Sequence, residues 1–380
     1  QWTGILATSP DLLTGGTRGL LAGGYSPTPN NANRDYIDQV NVNTTGNAID
    51  FGNLTESRRP GQNAAGSRTR AVWMGGRASP LNKNVIDFVT IAQQGNATDF
   101  GDLLTGRGSF AVVSSATRGI CALGSKTDSP NDAAHTNIIE YVTISQTGNS
   151  VDFGDGLTNA FKPSGAQSQT RGLFMGGYTP TEINTIQYIT MSTLGNSADF
   201  GDLSAPGAPG SKGTATSSPT RYIHYSGSNA PAERIDFGSI ASKGNSIRFG
   251  DHILGGPSHQ GARQNRACSN NTRAVFGGGY IDVSPYGTAQ SLLATITMAS
   301  EGNAIAFGDL TIPRYGPNAT SNQVRGVFAG GGGGNPYPYM NVTDYIIFSS
   351  SGGALDFGDL VSSGRVGNAV SDSHGGLGGF

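Results

Sequence analysis

Charge, cysteine and long apolar runs are all scarce in this sequence. Charged residues make up 13% of the 380 positions, about half of the ~25% typical of globular domains, and 24 basic against 26 acidic residues leave a net charge of −2. This balance excludes a polybasic nucleic-acid binder that works through counterion release, and it excludes an acidic, self-repelling disordered chain. No nucleic-acid partner is therefore expected.

A membrane span and a disulfide framework are lacking as well. No apolar run approaches the ~20 residues that a spanning helix needs, and no basic segment followed by an apolar one opens the chain. The two cysteines, Cys121 and Cys268, are interpreted as free thiols. The chain begins at Gln1 rather than Met, which indicates a processed chain or a piece of something longer. We expect no membrane insertion.

What the sequence has in abundance is glycine, 59 residues, and the glycines belong to a repeat. Two markers recur in step seven times, at intervals of about 50 residues: a Phe-Gly pair, and an Arg that opens an apolar run ending in glycines. The Phe residues are Phe51, Phe100, Phe153, Phe200, Phe249, Phe307 and Phe357. The Arg residues are Arg18, Arg70, Arg118, Arg171, Arg221, Arg273 and Arg325. The chain is therefore predicted to be seven repeated units rather than several unrelated domains.

Each unit has the pattern of four short strands. The Arg-led run, an alternating run such as 186–191 and the Asp-Phe-Gly-Asp-Leu run supply three of them, and a segment of small residues before the next Arg supplies the fourth. A Gly-Asn pair precedes most of the Phe-Gly pairs and predicts a type II′ hairpin turn between the last two strands. No unit shows a sustained 3.6-residue period, so very little helix is expected.

Seven glycine-rich units of four strands predict an all-β fold, a seven-bladed β-propeller with four antiparallel strands per blade. A long parallel β-helix is the competing architecture, although its coils are usually shorter. The predicted boundaries are 1–16 for an N-terminal segment outside the repeats, 17–374 for the propeller and 375–380 for a glycine-rich C-terminal tail.

Ring closure can be predicted by counting strands. The segment 365–373 matches the first strands of other units, whereas residues 1–16 match them poorly. An open ring would leave a sheet edge with unpaired backbone groups. We therefore expect the C-terminal strand at 367–373 to become the innermost strand of the blade that contains residues 18–24, with residues 1–16 outside the ring.

The repeat resembles a known one. A double glycine closes the second strand, an aromatic residue lies in the third, and a basic residue precedes the first, as in the kelch repeat; the basic residues are Arg59, Arg107, Lys162, Arg314 and Arg365. The kelch tryptophan is replaced by the Phe of Asp-Phe-Gly-Asp. The fuller pattern at 170–178 and 195–203 resembles repeats in virion structural proteins of marine cyanophages and related tailed phages, over residues 17–374. This resemblance implies a virion structural protein.

Catalytic chemistry has little support in the sequence. The Asp-Phe-Gly triplet recurs at the Phe-Gly marker of five units and is accompanied by no phosphate loop or His-Arg-Asp motif, so a kinase is excluded. The five histidines show no metal-ligand spacing, and no GxSxG or HExxH motif is present. The chain is predicted to be no enzyme and to use no cofactor and no metal, although carboxylates from different blades could still converge.

The two faces of the predicted ring differ in character. The repeated Arg and the first Asp of Asp-Phe-Gly follow turns on one face, where we expect a ring of Arg–Asp pairs that is either a structural repeat or a docking face. The opposite face collects the connections that vary most between units, where recognition usually lies. Its tyrosines can stack on and hydrogen-bond a sugar, so we predict a ligand-binding surface there, the alternative being solvated loops. The candidates are Tyr25, Tyr178, Tyr280, Tyr286, Tyr337 and Tyr339.

These patterns predict a non-enzymatic virion component, a propeller on a phage tail, fibre or surface, that mediates attachment or protein–protein contact through its variable loops. The expected partners are other virion proteins and a host-surface glycan or protein, with the chain oligomeric inside an assembly and extracellular as part of the virion. The alternative is a secreted or cell-surface bacterial adhesin or lectin. A glycan-active propeller enzyme is the third hypothesis, and a carboxylate pair in a pocket would favour it.

Overall fold

A computed structural model describes residues 16–26, 32–59, 64–78, 81–127, 134–207, 214–227, 233–254, 262–281, 287–333 and 339–373. The described residues form seven four-stranded antiparallel sheets, which are the blades of a β-propeller. The inner strands of successive blades contact one another around a closed ring, the seventh meeting the first. In this part of the chain, no helix is long and apolar enough to cross a membrane.

The strands of each blade are given from the central channel outward. Blade 1 contains Arg365–Ser371, Arg18–Ser26, Tyr36–Asn41 and Ile49–Asn53. Blade 2 contains Ala65–Gly66, Arg70–Gly76, Lys83–Thr90 and Thr98–Asp102. Blade 3 contains Ala111–Ser114, Arg118–Ala122, Ile138–Thr143 and Val151–Asp155. Blade 4 contains Ser164–Gln167, Arg171–Met175, Thr181–Thr190 and Ala198–Gly207.

The remaining blades repeat this order. Blade 5 contains Thr214–Ser217, Arg221–Tyr225, Arg234–Ser239 and Ile247–Asp251. Blade 6 contains Arg266–Ser269, Arg273–Gly277, Leu292–Thr297 and Ile305–Asp309. Blade 7 contains Asn318–Ser321, Arg325–Ala329, Val342–Ile347 and Leu355–Asp359. Two-residue strands lie at Ala32–Asn33, Tyr178–Thr179, Tyr280–Ile281 and Thr288–Ala289.

The predicted ring closure is confirmed. Strand Arg365–Ser371 pairs antiparallel with Arg18–Ser26, in a register that sets Gly19 opposite Ser371 and Tyr25 opposite Arg365. Beyond this ladder, the Asp372 carboxylate accepts hydrogen bonds from the backbone N–H groups of Thr17 and Arg18, at 3.3 and 3.1 Å. Segments near the two ends of the chain therefore complete one blade, as the count of strands predicted, while the predicted tail at 375–380 and nearly all of the predicted segment at 1–16 lie outside the described residues.

The seven repeated Phe side chains lie in the packed interfaces between blades, with 1–4% of each exposed. Their carbonyls also join neighbouring blades: the Gly148 N–H donates to the Phe100 carbonyl at 2.7 Å, and the Gly46 N–H closes the series on Phe357 at 2.7 Å. The glycine after each Phe is required by this approach. Gly101 has φ of +142°, and an added Cβ would overlap the backbone of Gly148 in the next blade.

The Gly-Asn pair does not form the predicted two-residue hairpin turn. In every blade, seven residues separate the third strand from the outer strand, as in 42–48 and 144–150. Within this connection, the glycine N–H donates to a backbone carbonyl of the preceding blade, and the Asn side chain accepts from a backbone N–H of that blade. For example, the Asn149 Oδ1 accepts from the Asp102 N–H at 3.0 Å. The prediction was wrong because the partners of the Gly-Asn pair belong to another unit, which a local pattern does not reveal.

A chain of serine side chains lines the central channel. In four successive blades the last residue of the inner strand is Ser217, Ser269, Ser321 or Ser371, and its hydroxyl donates to the backbone carbonyl of the equivalent residue one blade earlier, at 2.9–3.2 Å. The channel at this level holds a cavity of about 160 Å³. These bonds link the inner strands, which form no ladder with one another.

Candidate functional site: the loop face

The propeller has two faces, defined here by their connections. The turn face carries the connections between inner and second strands and between third and outer strands; the loop face carries those between second and third strands and between blades. On the turn face, the inner-to-second connection has three residues in each of blades 2 to 7, as in 67–69. On the loop face, the second-to-third connection ranges from 176–180 in blade 4 to 123–137 in blade 3. The prediction that this face varies most in length is confirmed.

The repeated Arg residues lie on the turn face, but they do not pair with the Asp of Asp-Phe-Gly. Each guanidinium donates to a backbone carbonyl that follows the third strand of the next blade, as Arg118 does to Met191 at 2.8 Å. The Asp instead caps its own strand: the Asp152 carboxylate accepts from the Gly154 N–H at 3.1 Å. The expected ring of Arg–Asp pairs is therefore wrong: the Arg side chains bond to backbone carbonyls, and four of the five Asp side chains accept from the backbone N–H two residues further on. The seven Arg residues join blade to blade.

Three buried ion pairs lie beneath the loop face. Each joins an Arg in a connection between blades to a carboxylate in the third strand of the following blade. The pairs are Arg58–Asp87 at 2.6 Å, Arg107–Glu140 at 2.5 Å and Arg314–Asp344 at 2.8 Å, with every side chain fully buried. The sequence interpretation noted Arg107 and Arg314 but chose Arg59 in place of Arg58, and it missed all three acids. The signal was the recurrence of Asp or Glu at one place in the third strand.

The same position is neutral in two blades. In blade 4, Ala160 and Gln187 take the places of the Arg and the acid, and the Gln187 amide oxygen accepts from the Leu157 N–H at 2.8 Å. In blade 6 both places are occupied by alanine, Ala262 and Ala294. Cation and carboxylate are therefore present together or replaced together in these blades, as the high cost of an unpaired buried charge requires.

Two blades keep the acid without the buried Arg. Asp38 in blade 1 and Asp236 in blade 5 are both buried. Burial raises the pKa of Asp38 to about 6, and the nearby Arg34 only partly opposes this. Burial likewise raises the pKa of Asp236, whose carboxylate accepts from the Ser204 hydroxyl.

Tyrosine and arginine side chains alternate along one arc of the loop face, from blade 6 to blade 2. Tyr280 packs edge-on against Tyr315 with ring centroids 5.5 Å apart, and the Arg365 guanidinium lies 5.5 Å from the Tyr315 centroid. Arg365 is paired through its backbone with Tyr25. We call this set of side chains the Tyr–Arg belt; its members are Tyr25, Arg59, Arg263, Tyr280, Tyr315, Tyr339 and Arg365.

The belt continues on both sides of this centre. The Arg59 guanidinium stacks 4.4 Å from the Tyr25 centroid, and Tyr339 packs edge-on against Tyr25 at 6.0 Å. At the other end Arg263 lies 5.9 Å from the centroid of Tyr280. All of these side chains are half-buried except Tyr315, which is 9% exposed. The belt therefore presents fixed aromatic edges between cationic groups.

The structure brings three of the predicted ligand-binding tyrosines together and separates a fourth. Tyr25, Tyr280 and Tyr339 belong to the belt. Tyr178 also lies on the loop face, but it packs against His135, which stacks on Phe161 at 5.3 Å. Tyr286 and Tyr337 lie outside the described residues. Sequence reasoning missed Tyr315 and Arg263, and it named Arg59 and Arg365 only as basic residues of the repeat, because their approach to the tyrosines joins different repeats.

A second repeated feature lies at the rim of the turn face. The first residue of the outer strand is a largely exposed aliphatic side chain in five blades. These residues are Ile49, Val151, Ile247, Ile305 and Leu355, each 49–65% exposed. They stand one to a blade, at equivalent positions around the ring.

Buried histidine and cysteine side chains away from these surfaces favour their neutral forms. Among the described residues, no group of three His, Cys, Asp or Glu side chains could hold a metal ion. His224 and His252 are buried, and burial lowers the pKa of each to about 4. The Cys268 thiol is buried, and burial raises its pKa.

Compared with known proteins, this chain matches no protein-family model and no curated protein sequence. The geometry alone therefore defines the class: a seven-bladed β-propeller, a fold compatible with a role in protein–protein interaction.

Proposed function

We propose that this chain is a non-enzymatic virion structural protein, a propeller on a phage tail, fibre or surface, which attaches through its loop face to a glycan or protein of the host surface. The virion setting is supported by the resemblance of the repeats at 170–178 and 195–203 to those of cyanophage structural proteins. The seven-bladed propeller gives a rigid scaffold on which loops can differ without changing the fold.

The Tyr–Arg belt is the observation that carries the attachment role. Tyrosine rings expose an apolar face and a hydroxyl at little cost in conformational entropy, which suits both sugars and proteins. Here the rings of Tyr25 and Tyr280 are already held by neighbouring aromatic and guanidinium groups. A ligand would therefore meet side chains whose ordering has been completed by folding, which favours affinity.

The turn-face rim supplies the contact with neighbouring virion proteins. Its aliphatic side chains stand at equivalent positions in five blades, so a partner that spans neighbouring blades meets more than one of them. The chain would then be held in an assembly through the turn face, with the loop face turned outward. In this arrangement the two surfaces serve two different partners.

The attachment role is tested by replacing Tyr25 and Tyr339 together with alanine and measuring binding of the labelled chain to cyanobacterial cells and to an array of bacterial surface glycans. We expect binding to fall at least tenfold while the melting temperature changes little. The matched control is Tyr36→Ala, which removes an exposed tyrosine of the same blade outside the belt. Unchanged binding in the double variant would contradict the role of the belt.

The virion setting needs a separate experiment. Mass spectrometry of purified phage particles, with immunogold labelling by an antibody against this chain, should place it on the particle. Detection on the bacterial envelope instead would favour the adhesin or lectin, for which the same belt would serve. Release of sugar from any array glycan would contradict the non-enzymatic assignment.

A further inference from the structure

The mouth of the channel on the loop face is lined by a ring of polar side chains. Equivalent positions in the inner strands of blades 4, 5, 6, 7 and 1 all contribute to it. These residues are Ser164, Thr214, Arg266, Asn318 and Asn368, and together with glycine and alanine one position further along they enclose a cavity of about 60 Å³. The cavity is roughly the size of one small ion and its immediate contacts.

Arg266 is the single charged residue of this ring, and it has no carboxylate partner in the described part of the chain. Its guanidinium donates to the Asn265 carbonyl at 3.3 Å, which uses one of its five N–H groups. Burial lowers the pKa of Arg266 to about 10, and the like charge of Arg365 contributes to this lowering. The Arg365 guanidinium is thus close enough for its like charge to act on Arg266, although Arg365 itself does not line the cavity.

Asn318 provides a second, independent observation. It is 5% exposed, it lines the same cavity, and its amide Nδ2 is buried with no hydrogen-bond partner among the described residues. A buried donor without an acceptor loses its hydration and gains nothing in return. By contrast, the buried Arg residues beneath the loop face are each paired with an acid. The channel mouth thus holds one cationic group and one buried amide donor without an acceptor among the described residues.

We propose that this cavity is a binding site for a single oxyanion group, held by the Arg266 guanidinium and the Asn318 amide, with the Thr214 and Ser164 hydroxyls as further donors. A sulfate, a phosphate or a carboxylate presents several acceptor oxygens and a negative charge, which complement these groups. The group could arrive as a free inorganic ion or as the acidic substituent of a sugar. None of the four residues that hold the group belongs to the Tyr–Arg belt, and the site does not depend on the attachment role.

Isothermal titration calorimetry of the full chain at low ionic strength tests the site with sodium sulfate, sodium phosphate and sodium glucuronate, and with glucose as the neutral control. We expect saturable binding of one equivalent of at least one anion and none of glucose. Binding of the inorganic ions alone would identify a free-ion site, whereas binding of glucuronate would identify an acidic sugar as the source of the group.

Arg266→Gln should weaken anion binding at least tenfold, and Asn318→Ala should weaken it severalfold. The control Arg68→Gln removes an exposed arginine from a turn-face connection and should leave binding unchanged. Because Arg266→Gln could perturb the inner strands, Arg266→Lys is measured too: it keeps the charge but loses the forked donors, and its binding should fall between that of the parent and that of Arg266→Gln. The proposal is overturned if no anion binds saturably, or if Arg266→Gln and Arg68→Gln have equal effects.

Discussion

The turn face and the loop face are built from the same seven repeats, yet they tolerate sequence change very differently. On the turn face, third and outer strands are joined by seven residues in all seven blades, and a glycine and usually an asparagine in that connection bond to the preceding blade. On the loop face, connections such as 176–180 and 123–137 differ threefold in length. The connection of constant length is the one whose glycine makes the same bond to the preceding blade in all seven blades.

This difference explains where variation can accumulate without opening the ring. A turn-face connection supplies both an intrablade turn and an interblade contact, so a change in it disturbs two blades. On the loop face, the connections between blades supply Arg107 and Ala160 to the layer of buried ion pairs or their neutral substitutes, and the variable second-to-third connections lie above that layer. Residues above that layer are free to specify a partner, and the belt lies there.

The largest loss of stability is expected from truncating one of the repeated Phe side chains that pack between blades. Phe200 is 3% exposed and packs edge-on against Tyr188 and Tyr222 of its own and the next blade. Phe200→Ala should lower the free energy of unfolding by about 3–5 kcal/mol, because it removes a core ring and leaves a cavity between blades. Urea denaturation measures this, and Tyr36→Ala is the exposed aromatic control. A loss below about 1 kcal/mol would contradict the equivalence of the seven Phe positions.

The sequence predicted this part of the fold well because its determinants recur within each unit. The Phe-Gly and Arg markers gave the number of blades, the buried Phe positions and, through the count of strands, the closure at Arg365–Ser371. The failures share one cause: the partners of the Gly-Asn pairs, of the repeated Arg residues and of Tyr315 all belong to other units. Contacts between repeats are set by how the blades pack, and no spacing along one repeat reports them.

The next largest loss of stability is expected from breaking a buried ion pair beneath the loop face. Arg107→Ala should cost about 3 kcal/mol, since it leaves the fully buried Glu140 carboxylate without its cation. Adding Glu140→Gln to the same chain recreates the Ala160–Gln187 arrangement of blade 4 and should restore part of the loss. The measurement is a double-mutant cycle by denaturant unfolding at pH 7. If the two changes are simply additive, the ion pair and its neutral substitute are not interchangeable.

Matched insertions compare the two faces directly. Two residues, Gly-Ser, are added after Gln146 in the turn-face connection 144–150, or after Pro180 in the loop-face connection 176–180. The first should cost about 2 kcal/mol, because it displaces the bonds that Gly148 and Ser150 make to blade 2 at about 1 kcal/mol each. The second should cost under about 1 kcal/mol, the entropy of a slightly longer loop. Urea denaturation measures both, and equal losses from the two insertions would remove the distinction between the faces.

The smallest effect is expected from Asp38, the acid of blade 1 that lacks a buried arginine at the repeat position. Burial raises its pKa to about 6 in the folded chain, above the ordinary value of 3.8. The folded state therefore binds more protons than the unfolded state between pH 4 and 6, and stability from this group is lost as pH rises through 6. Asp38→Asn removes that dependence, so the variant should exceed the parent by about 1–2 kcal/mol above pH 7 and match it near pH 4.

The measured quantity is the difference in unfolding free energy between Asp38→Asn and the parent at each pH. This difference is needed because His224, with a pKa lowered to about 4, makes the parent itself lose stability as pH falls below 6.5. That contribution is common to both chains and cancels. Glu140→Gln is the matched control, because it removes the acid at the equivalent position of blade 3 and leaves the buried Arg107 without its carboxylate. At pH 7 this variant should be less stable than the parent, whereas Asp38→Asn should be more stable. Opposite signs at one repeat position would show that the buried cation, rather than the blade itself, determines whether an acid beneath the loop face is favourable. If both variants changed the stability in the same direction, Arg34 would already be neutralising Asp38 as Arg107 neutralises Glu140.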